Sequence, residues 1–164
     1  MKKIAVVMGS KSDLPIVEKG LNILKEFQME FEVHILSAHR TPEATKEFAS
    51  NARKNNFAAI IAAAGKSAHL AGVIASFTSL PVIAIPIKTE DLGGMDSLLS
   101  SVQMPSGIPV ACVGINGAEN AALLAIEMLA ISDDTLAQKL KQMRQEKAEK
   151  ILQEDKKLNE GDLL

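Results

Sequence analysis

Five short apolar runs alternate with helical patterns along the chain, and this alternation limits the possible folds more than any other feature. The runs cover residues 4–8, 31–36, 58–63, 82–85 and 110–114. They are mostly continuous rather than alternating in polarity, which is typical of strands covered by helices on both faces. Strands that alternate with helices join through right-handed crossovers into a parallel sheet. The sequence therefore predicts an α/β fold, a flavodoxin-like three-layer α/β/α sandwich with a five-stranded parallel sheet in the order 2-1-3-4-5.

Capping residues place the helices between these strands. Ser12 is predicted as the N-cap of the first helix, and Thr41 followed by Pro42 predicts the start of the second. A third helix is expected over about residues 68–77, and a short fourth helix follows the fourth strand. Residues 118–130 are almost purely apolar and predict a buried helix.

The last part of the chain has a different pattern. Residues 132–158 predict one long amphipathic helix, with Lys and Glu on one side and apolar residues on the other. The apolar side consists of Leu136, Leu140, Met143, Ile151 and Leu158. We assign 1–131 to an α/β catalytic domain and 132–164 to a C-terminal helix and tail of the same domain. The apolar side can pack on its own domain or on a neighbouring subunit, and the residues alone leave both open.

The composition argues against several functions and locations. A net charge of -2 indicates neither a nucleic-acid partner nor a membrane-surface partner, and the absence of Trp and Tyr removes the usual base-stacking side chains. No apolar run reaches the roughly 18 residues of a membrane span, and the N-terminus has no signal-peptide pattern, so we predict a cytoplasmic protein. Cys112 is expected to be a small buried residue, and the scattered His and Cys residues predict no metal site.

Polar clusters follow the first four strands, at the edge of a parallel sheet where ligands bind. They cover residues 9–13, 37–41, 65–69 and 93–97. Ser10 and Ser12, with the free N–H groups of a helix start, predict a phosphate site, and Asp13 is suited to ribose hydroxyls. Arg40 lies at the start of the second helix, where its guanidinium would favour a bound phosphate.

The third cluster suggests proton transfer rather than nucleotide hydrolysis. Gly65, Lys66 and Ser67 match the end of a P-loop, but the glycine required five positions earlier is Ile60. His69 supplies an imidazole, the type of side chain that most often transfers protons at neutral pH. His39 could contact a ligand or cap a loop, whereas His34 lies within a predicted strand and is expected to be structural.

The chain resembles the 5-(carboxyamino)imidazole ribonucleotide mutases of purine biosynthesis. The resemblance covers about residues 3–155. It is carried by residues 7–13 (VMGSKSD), 37–42 (SAHRTP), 67–70 (SAHL), 95–98 (MDSL), 103–110 (QMPSGIPV) and 120–125 (NAALLA).

This resemblance implies a reaction and a set of roles. A carboxylate moves from the exocyclic nitrogen of the ribotide to ring carbon four, with no metal or organic cofactor. Ser10 and Arg40 would bind the phosphate, Asp13 the ribose, and His69 would protonate the departing nitrogen and later remove the proton from carbon four. The other expected substrate-binding residues are Ser12, Ser37, His39, Gly65, Lys66, Ser67 and Leu70. The resemblance also implies a homo-octamer, which would give the C-terminal helix a neighbouring subunit.

One loop departs from the family pattern. The usual Gly-Ala-Gly-Gly-Ala-Ala-His-Leu-Pro-Gly reads Ala-Ala-Gly-Lys-Ser-Ala-His-Leu-Ala-Gly at residues 63–72. Lys66 and Ser67 are similar to a branch of aminoimidazole ribonucleotide carboxylases that use carbon dioxide directly, but that branch lacks the counterpart of His69 and carries Lys in place of Arg40. The mutase is therefore our prediction and the carboxylase its alternative.

Two non-catalytic functions are further alternatives. The first is a nucleotide- or flavin-binding module on the same fold, although the lack of Trp and Tyr argues against a flavin. The second is an assembly protein that acts through its C-terminal helix, which would leave the converging polar clusters unexplained.

Overall fold

The structure, a computed structural model, describes residues 2–159 and contains one five-stranded parallel sheet. The strands are β1 (Lys3–Met8), β2 (Phe31–Ile35), β3 (Phe57–Gly65), β4 (Val82–Ile87) and β5 (Ala111–Cys112). Their order is β2-β1-β3-β4-β5, which confirms the predicted topology. β5 is shorter than predicted because it lies at the sheet edge between Pro109, which has no N–H donor, and Gly114.

Helices follow each strand, as the sequence predicts. They are α1 (Leu14–Glu26), α2 (Pro42–Asn51), α3 (Leu70–Ser76), α4 (Met95–Val102), α5 (Ala118–Ala130) and α6 (Asp134–Asn159). α3 begins two residues later than expected, because the His69 N–H donates to the Ser67 carbonyl in a turn before the helix.

The predicted N-cap of the first helix, Ser12, was wrong. A short 3₁₀ turn, Lys11–Asp13, precedes α1, so that Asp13 is the N-cap of α1 and Ser10 is the N-cap of the turn. The Ser10 hydroxyl accepts a hydrogen bond from the Ser12 N–H at 3.3 Å. Ser12 therefore lies inside the turn.

The hydrophobic core lies around the three central strands. Ile4, Ile60 and Ile83, on β1, β3 and β4, are completely buried, and burial of such side chains drives folding. Gly20 allows α1 to approach the start of α5, because a Cβ there would lie 2.6 Å from the Ala118 carbonyl oxygen. Cys112 is half-buried rather than buried as expected, since β5 is an edge strand.

The chain divides after Ile126 into two compact units. In the second unit, Arg144 of α6 pairs with Glu127. Leu136 and Leu140 are buried, whereas Ile151 and Leu158 are 65% and 51% exposed. Within the described residues, no helix is long and apolar enough to cross a membrane.

Candidate functional site

A cleft of about 540 Å³ lies at the carboxyl ends of β1, β2 and β3. Its lining includes all the residues predicted for the site, namely Ser10, Ser12, Asp13, Ser37, His39, Arg40, Gly65, Lys66, Ser67, His69 and Leu70. Gly9, Ala38, Ala64 and Thr89 complete the lining. The strand order explains this convergence, because β1 lies between β2 and β3 and brings their following loops together.

Serines and an arginine form one end of the cleft. The Ser12 hydroxyl donates to the Ser10 hydroxyl at 2.9 Å, at the start of the turn that leads into α1. The Arg40 Nη2 donates to the Gly9 carbonyl at 2.7 Å, and its Nε lies 3.4 Å from the Ser37 hydroxyl. A guanidinium fixed beside a helix start and two hydroxyls is an arrangement suited to a phosphate.

Asp13 is the buried acid of the cleft. Its side chain is only 8% exposed, and this desolvation raises the pKa of the carboxyl. A weak hydrogen bond from Ser12 at 3.4 Å, the Ser10 backbone and the charge of Arg40 lower the pKa in part. A carboxylate in this partly desolvated position is a strong acceptor for ligand hydroxyls.

The two cleft histidines form a direct contact. His39 Nε2 lies 2.8 Å from His69 Nδ1, with the ring planes nearly perpendicular at 82°. The sequence left the role of His39 open between ligand contact and loop cap, and here it is a partner of His69. The contact holds the two rings in a fixed relative position, and which nitrogen donates the hydrogen bond depends on the tautomer of each ring.

Lys66 reaches from the β3–α3 loop toward the loop after β4. Its Nζ lies 2.5 Å from Asp91 Oδ2, and this pair raises the pKa of Lys66 and lowers that of Asp91. Its backbone is left-handed with φ +56°, a conformation that favours glycine, which the usual family loop carries at this position. Lys66 thus places a long side chain at a backbone position that glycine, without a side chain, would occupy more easily.

Thr89 is the polar cleft residue that the sequence did not predict. It follows β4 at the same sheet edge, and its hydroxyl is buried without a hydrogen-bond partner among the described residues. The fourth polar cluster, by contrast, does not line the cleft. The Ser97 Oγ lies 2.9 Å from the carbonyl oxygens of both Ile87 and Gly94, and its one hydroxyl proton, donated to either of them, stabilises the start of α4.

Within residues 2–159, no group of three or more His, Cys, Asp or Glu side chains is placed to hold a metal ion. The chemistry that the cleft can perform with its own residues is anion binding and proton transfer.

The comparisons with known proteins identify the family. Residues 3–150 match the family model described as AIR carboxylase. The chain is 54% identical to the N5-carboxyaminoimidazole ribonucleotide mutase of Methanocaldococcus jannaschii, over 96% of this chain and 98% of that protein. It is 45% identical to the chloroplastic phosphoribosylaminoimidazole carboxylase of Vigna aconitifolia, over 94% of this chain but 28% of that protein. The crystal structure of Treponema denticola PurE superposes with a TM-score of 0.86 at 33% identity, covering 94% and 97% of the two chains.

Proposed function

The chain belongs to the AIR carboxylase family, and from this we infer that it is an N5-carboxyaminoimidazole ribonucleotide mutase of purine biosynthesis. The observation that carries this conclusion is 54% identity to a named mutase over nearly the full length of both chains. The enzyme is an isomerase, which moves a carboxylate from the exocyclic nitrogen to ring carbon four of an aminoimidazole ribotide.

The cleft offers a site for each part of such a substrate. We assign the phosphate to Ser10, Ser12 and Arg40, whose donors converge at one end, and the ribose hydroxyls to Asp13. The aminoimidazole would then lie toward His39 and His69. This orientation follows from the charges, because Asp13, the one acid that lines the cleft among residues 2–159, suits hydroxyl groups and repels the phosphate.

The reaction needs one acid and one base in sequence. The bond between nitrogen and the carboxyl carbon breaks, carbon dioxide leaves, and the electron pair on nitrogen takes a proton. Carbon four then attacks carbon dioxide and loses its own proton. The catalytic group gives one proton to nitrogen and takes one proton from carbon four. It therefore returns to its starting protonation state at each turnover.

The histidine pair can supply both functions. In either tautomer one shared proton lies between His39 Nε2 and His69 Nδ1. One of the two remaining ring nitrogens then carries a proton and the other a lone pair. We keep His69 as the acid/base residue and assign His39 to setting its tautomer through this contact.

The carboxylase is the competing activity within the same family. Relatives of both names match this chain, but the matched carboxylase of Vigna aconitifolia is a much longer protein, of which this chain covers 28%. Retention of His69 and Arg40 favours the mutase.

Turnover with two substrates tests the assignment. The carboxyamino ribotide without bicarbonate is expected to react rapidly, and the decarboxylated ribotide only weakly and in proportion to added bicarbonate. Efficient use of the second substrate alone would assign the carboxylase activity instead. Activity on neither substrate would favour the alternative that the protein is a non-catalytic ligand-binding module.

We also propose a cytoplasmic homo-octamer. Exposed apolar side chains support an assembly, among them Ile131 at 87% and Leu152 at 67% exposure. The α4 side chains Met95, Leu99 and Val102 are similarly about half exposed. Covering such surfaces by neighbouring subunits would remove them from water.

A further inference from the structure

The loop after β4, residues 88–94, is closed at its neck. The Lys88 N–H donates to Asn116 Oδ1 at 2.9 Å, which fixes the first residue of the loop. Its last residue, Gly94, is packed so closely that a Cβ would lie 3.1 Å from the Lys88 Cα. The two ends of the loop, Lys88 and Gly94, therefore lie close together.

The tip of this loop contacts the cleft through one ion pair. Asp91 Oδ2 lies 2.5 Å from Lys66 Nζ, and both side chains are largely exposed, at 60% and 69%. Beneath the pair the two loops touch, since a Cβ on Gly65 would lie 2.9 Å from Thr89 Cγ2. Among the described residues, no other ion pair joins the tip of this loop to the cleft.

The cleft contains two permanent cations at separate positions. Arg40 follows β2 and Lys66 follows β3, and β1 lies between these strands. The strand ends are thus about 10 Å apart, which is two strand spacings. A substrate with a phosphate at one end and a carboxylate at the other matches two cations so separated, and Arg40 is already assigned to the phosphate.

We propose that Lys66 recognises the migrating carboxylate and exchanges its ion pair between that group and Asp91 during the reaction. The inference rests on the proposed function and names a specificity residue within it. The carboxylate is anionic in substrate and product but leaves as neutral carbon dioxide in between. A lysine without another partner would stabilise the carboxylate of the substrate and of the product but not the carbon dioxide formed between them. It would therefore oppose bond breaking.

Asp91 prevents Lys66 from opposing bond breaking, because it offers the ammonium a second anionic partner. When the carboxylate loses its charge, the Lys66 ammonium returns to Asp91, so that it has an anionic partner at each step. An ion pair this exposed to water is weak, and its exchange is correspondingly easy. Lys66 therefore raises the affinity for carboxylated ribotides without holding carbon dioxide or the decarboxylated ring.

The variant Lys66→Met tests the recognition. It removes the ammonium and keeps an unbranched side chain at the left-handed position. The KM for the carboxyamino ribotide is expected to rise about five- to tenfold, the range of an ion pair to a charged ligand. The inhibition constant of the decarboxylated ribotide in the same assay is expected to stay unchanged. Lys88→Met, which removes a charge from the same region outside the cleft, is the matched control and should alter neither constant.

The variant Asp91→Asn tests the exchange. Without its competitor, Lys66 should bind the carboxylate more tightly, so that both KM and kcat fall. Lys66→Arg should retain most of the wild-type KM.

Two results would overturn the inference: equal changes in both constants for Lys66→Met, or no change in either. These are distinct from failure of the proposed function, in which the wild-type protein itself would not convert the carboxyamino ribotide.

Discussion

At the scale of single residues, the buried Asp13 carboxyl lowers the stability of the folded chain at neutral pH, where the site uses it as an acceptor. Its carboxyl is buried, and desolvation raises its pKa above that of the unfolded chain. As the pH rises, the unfolded chain ionises first, so the stability contributed by this residue is highest at low pH and declines through the folded pKa. A buried acid retained at such a cost is typical of a functional site.

We therefore expect Asp13→Asn to unfold at higher urea concentration than the wild type at pH 7. The difference should shrink as the pH falls toward the unfolded pKa of about 3.9. The kcat/KM should fall about ten- to hundredfold, because a charged acceptor for the ribose is lost. Urea unfolding between pH 4 and 8 measures the first effect. A stability gain that does not vary with pH would rule out ionisation as its cause.

The histidine pair gives a second prediction for single residues. His69→Asn removes the acid/base group and is expected to lower kcat by about 10²- to 10⁴-fold. His39→Asn leaves that group in place without the partner at 2.8 Å, so kcat should fall by a smaller factor because the His69 ring is no longer oriented. His34→Asn is the control outside the cleft. A His39→Asn enzyme with the wild-type kcat would show that the contact does not orient His69.

At the scale of elements, the end of α1 contains an unfavourable residue. The Gln28 N–H donates to the Lys25 carbonyl and the Met29 N–H to the Leu24 carbonyl, both at 2.9 Å. These two bonds form a Schellman motif, and Gln28 occupies its left-handed position with φ +58°. Glycine is the residue that this position favours.

We expect Gln28→Gly to stabilise the protein by about 0.5–1 kcal/mol, because the left-handed conformation no longer strains a side chain. Thermal unfolding at neutral pH measures the change. Asn56→Gly is the matched control, since Asn56 has φ +65° but asparagine tolerates this region. An equal gain at both positions would contradict the explanation.

At the scale of the whole molecule, the second compact unit leaves apolar side chains exposed. Ile151 and Leu152 on α6 are 65% and 67% exposed. Ile151 belongs to the predicted apolar side of this helix, which the sequence allowed to pack on its own domain or on a neighbouring subunit. Packing on a neighbouring subunit remains a prediction, and it belongs to the proposed octamer.

Sedimentation measures this assembly. Eight chains of 17.5 kDa predict a particle of about 140 kDa. The double variant Ile151→Glu and Leu152→Glu should sediment as a smaller species, because charges would enter an apolar contact. Lys147→Glu, at an exposed polar position of the same helix, should not. A wild-type monomer would contradict the octamer directly.

The sequence by itself determined the parallel sheet and the regions that form the site, whereas the strand order was expected from the fold class and confirmed by the structure. Apolar runs, capping residues and turn signals are local, and a parallel sheet brings all strand ends to one edge, so the polar clusters there could be predicted to converge. Its errors were also local ones. Ser12 was predicted as the N-cap of the first helix, but it lies in a 3₁₀ turn before α1, and the cluster at 93–97 stabilises α4 instead of lining the cleft.

Only the tertiary structure decided which of these side chains meet. His39 and His69 are 30 residues apart in sequence and 2.8 Å apart in the cleft, and no pattern along the chain encodes that distance. The contact of Lys66 with Asp91 and the position of Thr89 depend in the same way on how two loops pack above neighbouring strands. Periodicity fixes which face of an element is buried, but contacts between loops depend on the packing of the whole sheet edge, which is a property of the folded chain.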